Sequence, residues 1–251
     1  MARKFVSASS EYLSEAFAAF ANDSLGTLAV RVRPHNTTTQ NELLNITDNG
    51  NTEVGIAIGM RDTGGSTYQG RIRLQTGDGH FYAFGSGTYA ANTWYTLVGR
   101  RKASSKIDCA LNGSFGSEIP FTSSPSYTWD TTTIGRVGDS SPSNYSDADI
   151  AEAAIWNVDL DDAEVSAYNA GMSPLSIRPQ SLVFYSQLIR DEDRDLITGS
   201  AFSVGGTPEI VEHPRVIYPT AQILQFPPVA AAGGLSIPVA AYHHFHHNMG
   251  Q

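Results

Sequence analysis

The sequence predicts an all-β fold: a two-sheet antiparallel sandwich with one short helix near residues 161–170 and an extended C-terminal arm. Three observations carry this reading. Short alternating runs of apolar and polar residues recur along the chain with turn residues between them, the spacing of a sandwich rather than of βαβ units. Residues 94–113 read as two strands closing on Asn112-Gly113, the preferred pair for a tight hairpin turn. Residues 147–171 read as a strand that runs straight into a capped helix. Composition agrees, because 16% charged residues and 23 glycines, with frequent Thr, Ser, Tyr and Phe, suit strands better than helices.

Each element has a local warrant. Residues 4–6 open the series. Over residues 27–33, Leu28, Val30 and Val32 face one side while Arg31 and Arg33 face the other, and Pro34 ends the strand. Residues 42–46 form a short strand before the turn-rich TDNGNT. Val54, Ile56, Ile58 and Met60 share one face of the next strand. After the loop RDTGGSTYQG, Ile72 and Leu74 repeat the pattern between Arg71 and Arg73. Residues 80–84 lie between Gly-rich turns. Residues 94–101 and 106–111 form the hairpin, with Cys109 in step with Ile107 and Leu111 and therefore pointing inward. Residues 131–137 and 150–156 continue the series.

The helix carries a complete code. Asp161 is placed to be the N-cap and Glu164 to complete a capping box, with Leu160 and Val165 as the hydrophobic staple. Gly171 supplies a left-handed stop and Pro174 prevents resumption. Tyr168 shares the face of Val165 and is expected to pack on the sandwich. Residues 181–188 and 195–204 read as returning strands, which places the sandwich domain at 1–204. Residues 205–251 hold six prolines, few charges and no helical or strand period. They are too apolar for a solvated tail. An extended arm on another surface resolves this, either on its own sandwich or, as favoured here, on a neighbouring subunit, since an arm can add a strand to an open edge. The residues expected to touch the partner are Pro214, Val216, Ile217, Tyr218, Ile223, Phe226, Tyr242 and Phe245.

A net charge of −9 and a pI of about 5.1 argue against nucleic-acid binding through a general basic field, leaving only a local patch at Arg100, Arg101 and Lys102. One cysteine permits no internal disulfide. The first residues, MARKFVSASSEYLSEAF, lack the apolar core of a signal peptide, and no segment approaches the roughly 20 apolar residues of a membrane span. Synthesis and assembly in a cytoplasm is the expectation, with no membrane insertion.

Five segments in order resemble a laminin-G-like domain of the concanavalin A-like lectin/glucanase jelly rolls. KFVSASSEYLS resembles the opening strand and turn, GTLAVRVRP the next family strand, TWYTLVGRR a "Wyhvavvrd" strand, IDCALNG a "lylNG" hairpin, and IAEAAIWNVDLDDAEVSAYNAG the strand and helix that follow. Arg31 stands where the family often has Trp and Ala151 where it often has an acid, so no ligand-contacting residue carries over. Residues 181–219 resemble extensions on laminin-G-like proteins encoded by bacteriophages and prophages. This family carries lectins, glycanases and purely structural modules alike.

Several constellations admit a functional and a bland reading. Asp147-x-Asp149-x-x-Glu152 resembles a glycanase signature in which two carboxylates flank the glycosidic bond. Its first member is one methylene short and no aromatic platform adjoins it in sequence, so loop acids before a strand are preferred. No GxSxG, Walker loop, CxxC pair or HExxH occurs, and no enzyme is expected. No cofactor is required. The resemblance implies calcium at the sandwich rim, for which the candidates are Asp48, Asn51, Asp139, Asp147 and Asp149, against the bland reading of Asx turns. His243, His244, His246 and His247 suit a metal or a terminal subunit contact, and the latter is preferred. Asp191 to Asp195 reads as a solvated turn between strands, and His213 as a turn or arm residue. Tyr68, Tyr82, Tyr89, Tyr127 and Tyr145 are the aromatics available for sugar stacking. With no signal peptide, disulfide or catalytic set, and an apolar arm that wants a surface, the expected function is a non-enzymatic virion protein. It would decorate or cement a capsid or join a tail as a homo-oligomer among other virion proteins. The alternative is a carbohydrate-binding adhesion module, with calcium as a candidate ion.

Overall fold

Alternation becomes two stacked sheets in the computed structural model, which describes residues 2–17, 25–38, 40–50, 54–64, 67–76, 79–103, 105–122, 129–138, 140–189 and 193–218. The strands run β1 (Ala2–Phe5), β2 (Tyr12–Ala16), β3 (Gly26–Pro34), β4 (Asn41–Thr47), β5 (Val54–Asp62), β6 (Tyr68–Thr76), β7 (Gly79–Phe84) and β8 (Tyr95–Lys102). They continue as β9 (Lys106–Leu111), β10 (Ser114–Phe115), β11 (Ile119–Pro120), β12 (Thr131–Ile134) and β13 (Ala148–Trp156). Helix α1 (Asp162–Asn169) follows, then β14 (Leu182–Ser186), β15 (Ser203–Gly205) and β16 (Glu209–Val211). One sheet has the order β10-β9-β8-β3-β13-β1-β16, with β11 on β9 and β14 on β13; the other has the order β15-β2-β12-β4-β5-β6-β7. Every named strand pairing is antiparallel.

The predicted inward residues build the core between the sheets: Leu28, Val30 and Val32 of β3 meet Ile56, Ile58, Met60, Ile72 and Leu74 of the other sheet. Cys109 is fully buried among them, and burial raises its thiol far above the ordinary range. Gly99 of β8 is glycine because of closeness: a Cβ there would lie 2.6 Å from Ile58 Cγ2 and 2.9 Å from Ile72 Cβ.

Strand β13 departs from simple alternation. Ala151 pairs with Arg31 but Ala154 pairs with Ala29, so β13 holds one extra residue there. Glu152 absorbs it with φ +53°. Such a bulge resets the parity of a strand. Ala148 and Ile150 before it, and Ala153 and Ile155 after it, therefore all face the core. Ala154 and Trp156 face the outer side, where α1 packs.

The helix forms as coded. Asp161 Oδ1 accepts from Glu164 N and Glu164 Oε2 accepts from Asp161 N, both at 2.8 Å. Val165 and Tyr168 are buried against Ala29, Val98, Ala110 and Trp156 of the outer sheet face. Gly171 follows at φ +108°.

Four expectations are corrected. The strand expected over 195–204 shrinks to β15, because the fully buried Asp195 carboxylate accepts from Tyr185 N, Ile197 N, Thr198 N and Thr198 Oγ1, which folds the chain into a turn. Within the acidic stretch Asp193 is not solvated either, since it pairs with Arg3 at 3.1 Å with its side chain 7% exposed. The strand expected over 131–137 stops at Ile134, where Gly135 turns at φ +88°. The body also continues past Val204: β16 pairs with β1, and Met172 bridges Ile217 in parallel. The compact unit includes Tyr218, and residues 219–251 lie outside the described residues. Ile223, Phe226, Tyr242, Phe245 and the four C-terminal histidines lie there.

Candidate functional site

Outer-facing residues of β3 and β8 open a site beside the last turn of α1. Arg31 on β3 lies opposite Thr96 on β8. Asn112 in the following hairpin turn, Asn169 at the helix end, Trp94, Tyr95 and Pro214 complete a pocket of about 180 Å³. Thr96 N donates to Asn112 Oδ1 at 3.0 Å, and Thr96 Oγ1 donates to Asn169 Oδ1. These bonds fix the two amides. The lining thus combines an aromatic face, two amides, a hydroxyl and a guanidinium, the mixture of apolar surface and a few placed polar groups that small-molecule sites use.

Arg31 is 5% exposed. Its Nη2 donates to Tyr168 O and its Nη1 to Arg215 O, both at 2.9 Å, and its Cζ sits 5.1 Å from the Tyr168 ring centre. It therefore ties the C-terminal end of α1 to the tail that carries Pro214. A cation at that helix end is favoured by the macrodipole.

Trp94 is braced by Arg33. Arg33 Cζ lies 5.3 Å from its ring centre, a cation–π contact. Arg33 Nε in turn donates to Asp149 Oδ2 at 2.6 Å. His35 bridges the two rim acids, with Nδ1 3.0 Å from Asp147 Oδ1 and Nε2 2.9 Å from Asp149 Oδ1. Asn36 Nδ2 donates to Asp147 Oδ2. The Asp149 contact, aided by Asp147 and opposed by burial, raises the His35 pKa above its ordinary value.

Below the tail, the fully buried Glu152 accepts from Tyr185 OH at 2.7 Å through Oε2. Its Oε1 lies 3.1 Å from His213 Nε2 without hydrogen-bond geometry. Tyr168 OH donates to Glu152 O at 2.9 Å. The glycanase-like triplet is thus divided: Asp147 and Asp149 belong to the rim cluster, and Glu152 to a buried one.

The calcium candidates fare similarly. Asp147 and Asp149 are engaged by His35, Arg33 and Asn36. Asp48 Oδ1 accepts from Gly50 N in an Asx turn at 2.9 Å. Asn51 and Asp139 lie outside the described residues. Among the described residues no three His, Cys, Asp or Glu side chains are grouped to hold a metal ion.

Other expected residues fall elsewhere. Pro214 lines the pocket, Val216 is half-buried, and Ile217 and Tyr218 lie along this chain's own body. Ser173 N donates to Ile217 O at 3.0 Å, Ile217 N to Gly171 O at 2.7 Å, and Gln187 Nε2 to Tyr218 OH. Tyr89 is 3% exposed in the core, Tyr145 lies beside Arg136, and Tyr68 and Tyr82 sit on the other sheet; Tyr127 is outside the described residues. The basic patch is spent: Arg100 pairs with Asp108 and Asp162, Lys102 with Asp108 and Glu118, and Arg101 lies over Phe121. Among the described residues no helix is long and apolar enough to cross a membrane. Sequence reasoning missed Trp94, Asn112 and Asn169, which read as strand start, turn and helix end. The one available signal was the outward pair Arg31 and Arg33 opposite a buried face.

Residues 7–166 match the Laminin_G_3 family, described as the concanavalin A-like lectin/glucanases superfamily. No curated protein matches the chain. Among solved structures, it is similar to a heptameric SAP-like pentraxin from Limulus polyphemus. The TM-score is 0.56 and the identity 14%, over 78% of this chain and 89% of that one. It is also similar to a protein from Bacteroides ovatus ATCC 8483 described as a candidate carbohydrate binding protein. There the TM-score is 0.59 and the identity 14%, over 86% of this chain and 61% of that one. At such identities the likeness is one of fold.

Proposed function

We propose that this chain, which belongs to the concanavalin A-like lectin/glucanases superfamily, is a non-enzymatic glycan-binding module that holds a sugar in the pocket beside Trp94. One observation carries the reading: a half-exposed Trp, two amides fixed by Thr96, and a guanidinium converge on one opening. A sugar ring has an apolar C–H face and a hydroxyl rim. The Trp94 ring suits the first, and Asn112, Asn169 and Thr96 suit the second. The volume of about 180 Å³ is below the roughly 300–1,000 Å³ of drug-sized sites, which favours a single terminal sugar over a long chain.

Binding without cleavage is supported by the placement of the acids. Asp147 and Asp149 are engaged by side chains of the rim, and Glu152 lies buried under the tail. A virion role rests on the sequence alone, on the missing signal peptide, disulfide and catalytic set and on the apolar arm, whose residues 219–251 lie outside the described residues. A glycan array tests the proposal, followed by titration of the best ligand against Trp94→Ala. Loss of an aromatic anchor of about 2 kcal/mol weakens binding roughly 30-fold. Unchanged affinity in the variant, or no bound glycan, refutes it.

A further inference from the structure

The charge balance of the pocket points to its ligand class. Arg31 is 5% exposed, and no carboxylate lies within ion-pair distance of it among the described residues. Its two terminal nitrogens donate to backbone carbonyls, and its Nε has no hydrogen-bond partner. A buried guanidinium held by two backbone carbonyls and the Tyr168 ring, with no direct ion pair, is costly, and an arriving carboxylate recovers part of that cost through a charge-assisted bond. The pocket lining contains no Asp or Glu.

The neighbouring acids are committed elsewhere. Asp149 is held by Arg33 and His35, and Asp147 by His35 and Asn36. Glu152 follows Ala151, the cross-strand partner of Arg31, yet it turns to Tyr185 and His213. This turn follows from the bulge at φ +53°, which takes Glu152 out of strand alignment with Arg31. The helix-end role of Arg31 accounts for Nη1 and Nη2 but leaves Nε without a partner.

We infer that the pocket selects a carboxylate-bearing sugar, with Arg31 as the charge partner of the carboxylate and Trp94 as the platform for the ring. This rests on the glycan-binding reading and adds the substrate class to it. Uronic and sialic acids share the chemistry, and the full chain is to be titrated calorimetrically with both. The probes are methyl glucuronoside and the methyl glycoside of sialic acid, each against its own methyl ester, which keeps the ring and removes the charge. The expected result is that at least one free acid binds tenfold or more tightly than its ester. That preference is expected to fall to about twofold or less in Arg31→Gln and binding itself to weaken in Trp94→Ala. The ligand pairs need no variant, so a poorly folding Arg31→Gln leaves the test intact. Equal binding of acid and ester overturns the acid preference while leaving glycan binding standing. Absence of binding by any probe, with a neutral glycan bound on an array, also overturns it. Absence of all sugar binding overturns both readings. An acid preference that survives in Trp94→Ala places the ligand elsewhere and overturns the assignment to this pocket.

Discussion

Replacing Glu15 with Gln is expected to stabilise the protein at neutral pH. Glu15 lies on β2 between Leu13 and Phe17, in the parity that faces the other sheet, and it is 8% exposed. Its Oε2 has no hydrogen-bond partner, and neither has Oγ1 of Thr132, its cross-strand neighbour. Burial, with the negative charge of Asp195 adding to it, pushes the carboxyl up from 4.5 to about 8. Between those values the folded chain holds more protons than the unfolded chain, so stability falls as pH rises. The interval of about 2.5 pH units up to pH 7 corresponds to about 3 kcal/mol, and the full shift above pH 8 to about 5 kcal/mol. Glutamine keeps the shape and removes the charge. Urea unfolding of both proteins at pH 5, 6, 7 and 8 measures the difference. The expected gap is small at pH 5 and widens to about 3 kcal/mol at pH 7. A constant gap, or a less stable variant at pH 7, refutes the argument that an ionisable group is trapped between the sheets.

Three further outcomes follow from local geometry. His35 has a raised pKa through Asp149 and Asp147, so its contribution is fully present below about 6.5 and is lost as pH rises through the folded value. His35→Gln is expected to cost on the order of 1 kcal/mol at pH 5.5 and little at pH 8.5, read by urea midpoints; an equal cost at both rejects the charged bridge. Gly99→Ala inserts a methyl 2.6 Å from Ile58 Cγ2 and is expected to lose about 1–3 kcal/mol, with a lower melting temperature. Asp161→Ala removes the capping box and is expected to cost about 1 kcal/mol, seen as faster amide exchange at Glu164 and Val165.

What was legible in the sequence was local. The capped helix needs only residues 160–171, and its cap, buried face and glycine stop all form as read. The inward stripe of Leu28, Val30 and Val32 needs only period two. The bulge at Glu152 was hidden because a non-glycine residue adopts a positive φ there, and its support from Tyr168 and Tyr185 comes from other elements. The turn at Asp195 was hidden because its capping bonds reach both forward to Thr198 and back to Tyr185. The pocket was hidden for the same reason, since Arg31, Trp94, Asn112, Asn169 and Pro214 meet only after the strands pair.

The three tryptophan side chains give the most direct test of glycan binding. Trp129 and Trp156 are 2% and 0% exposed, and Trp94 alone of the three lines the pocket. In the isotope-labelled protein each indole N–H gives its own magnetic-resonance signal. Millimolar methyl glucuronoside, or the sialic acid methyl glycoside, is expected to shift the Trp94 signal and leave the other two in place. A Trp94 signal unmoved by either sugar and by the best array ligand contradicts the account.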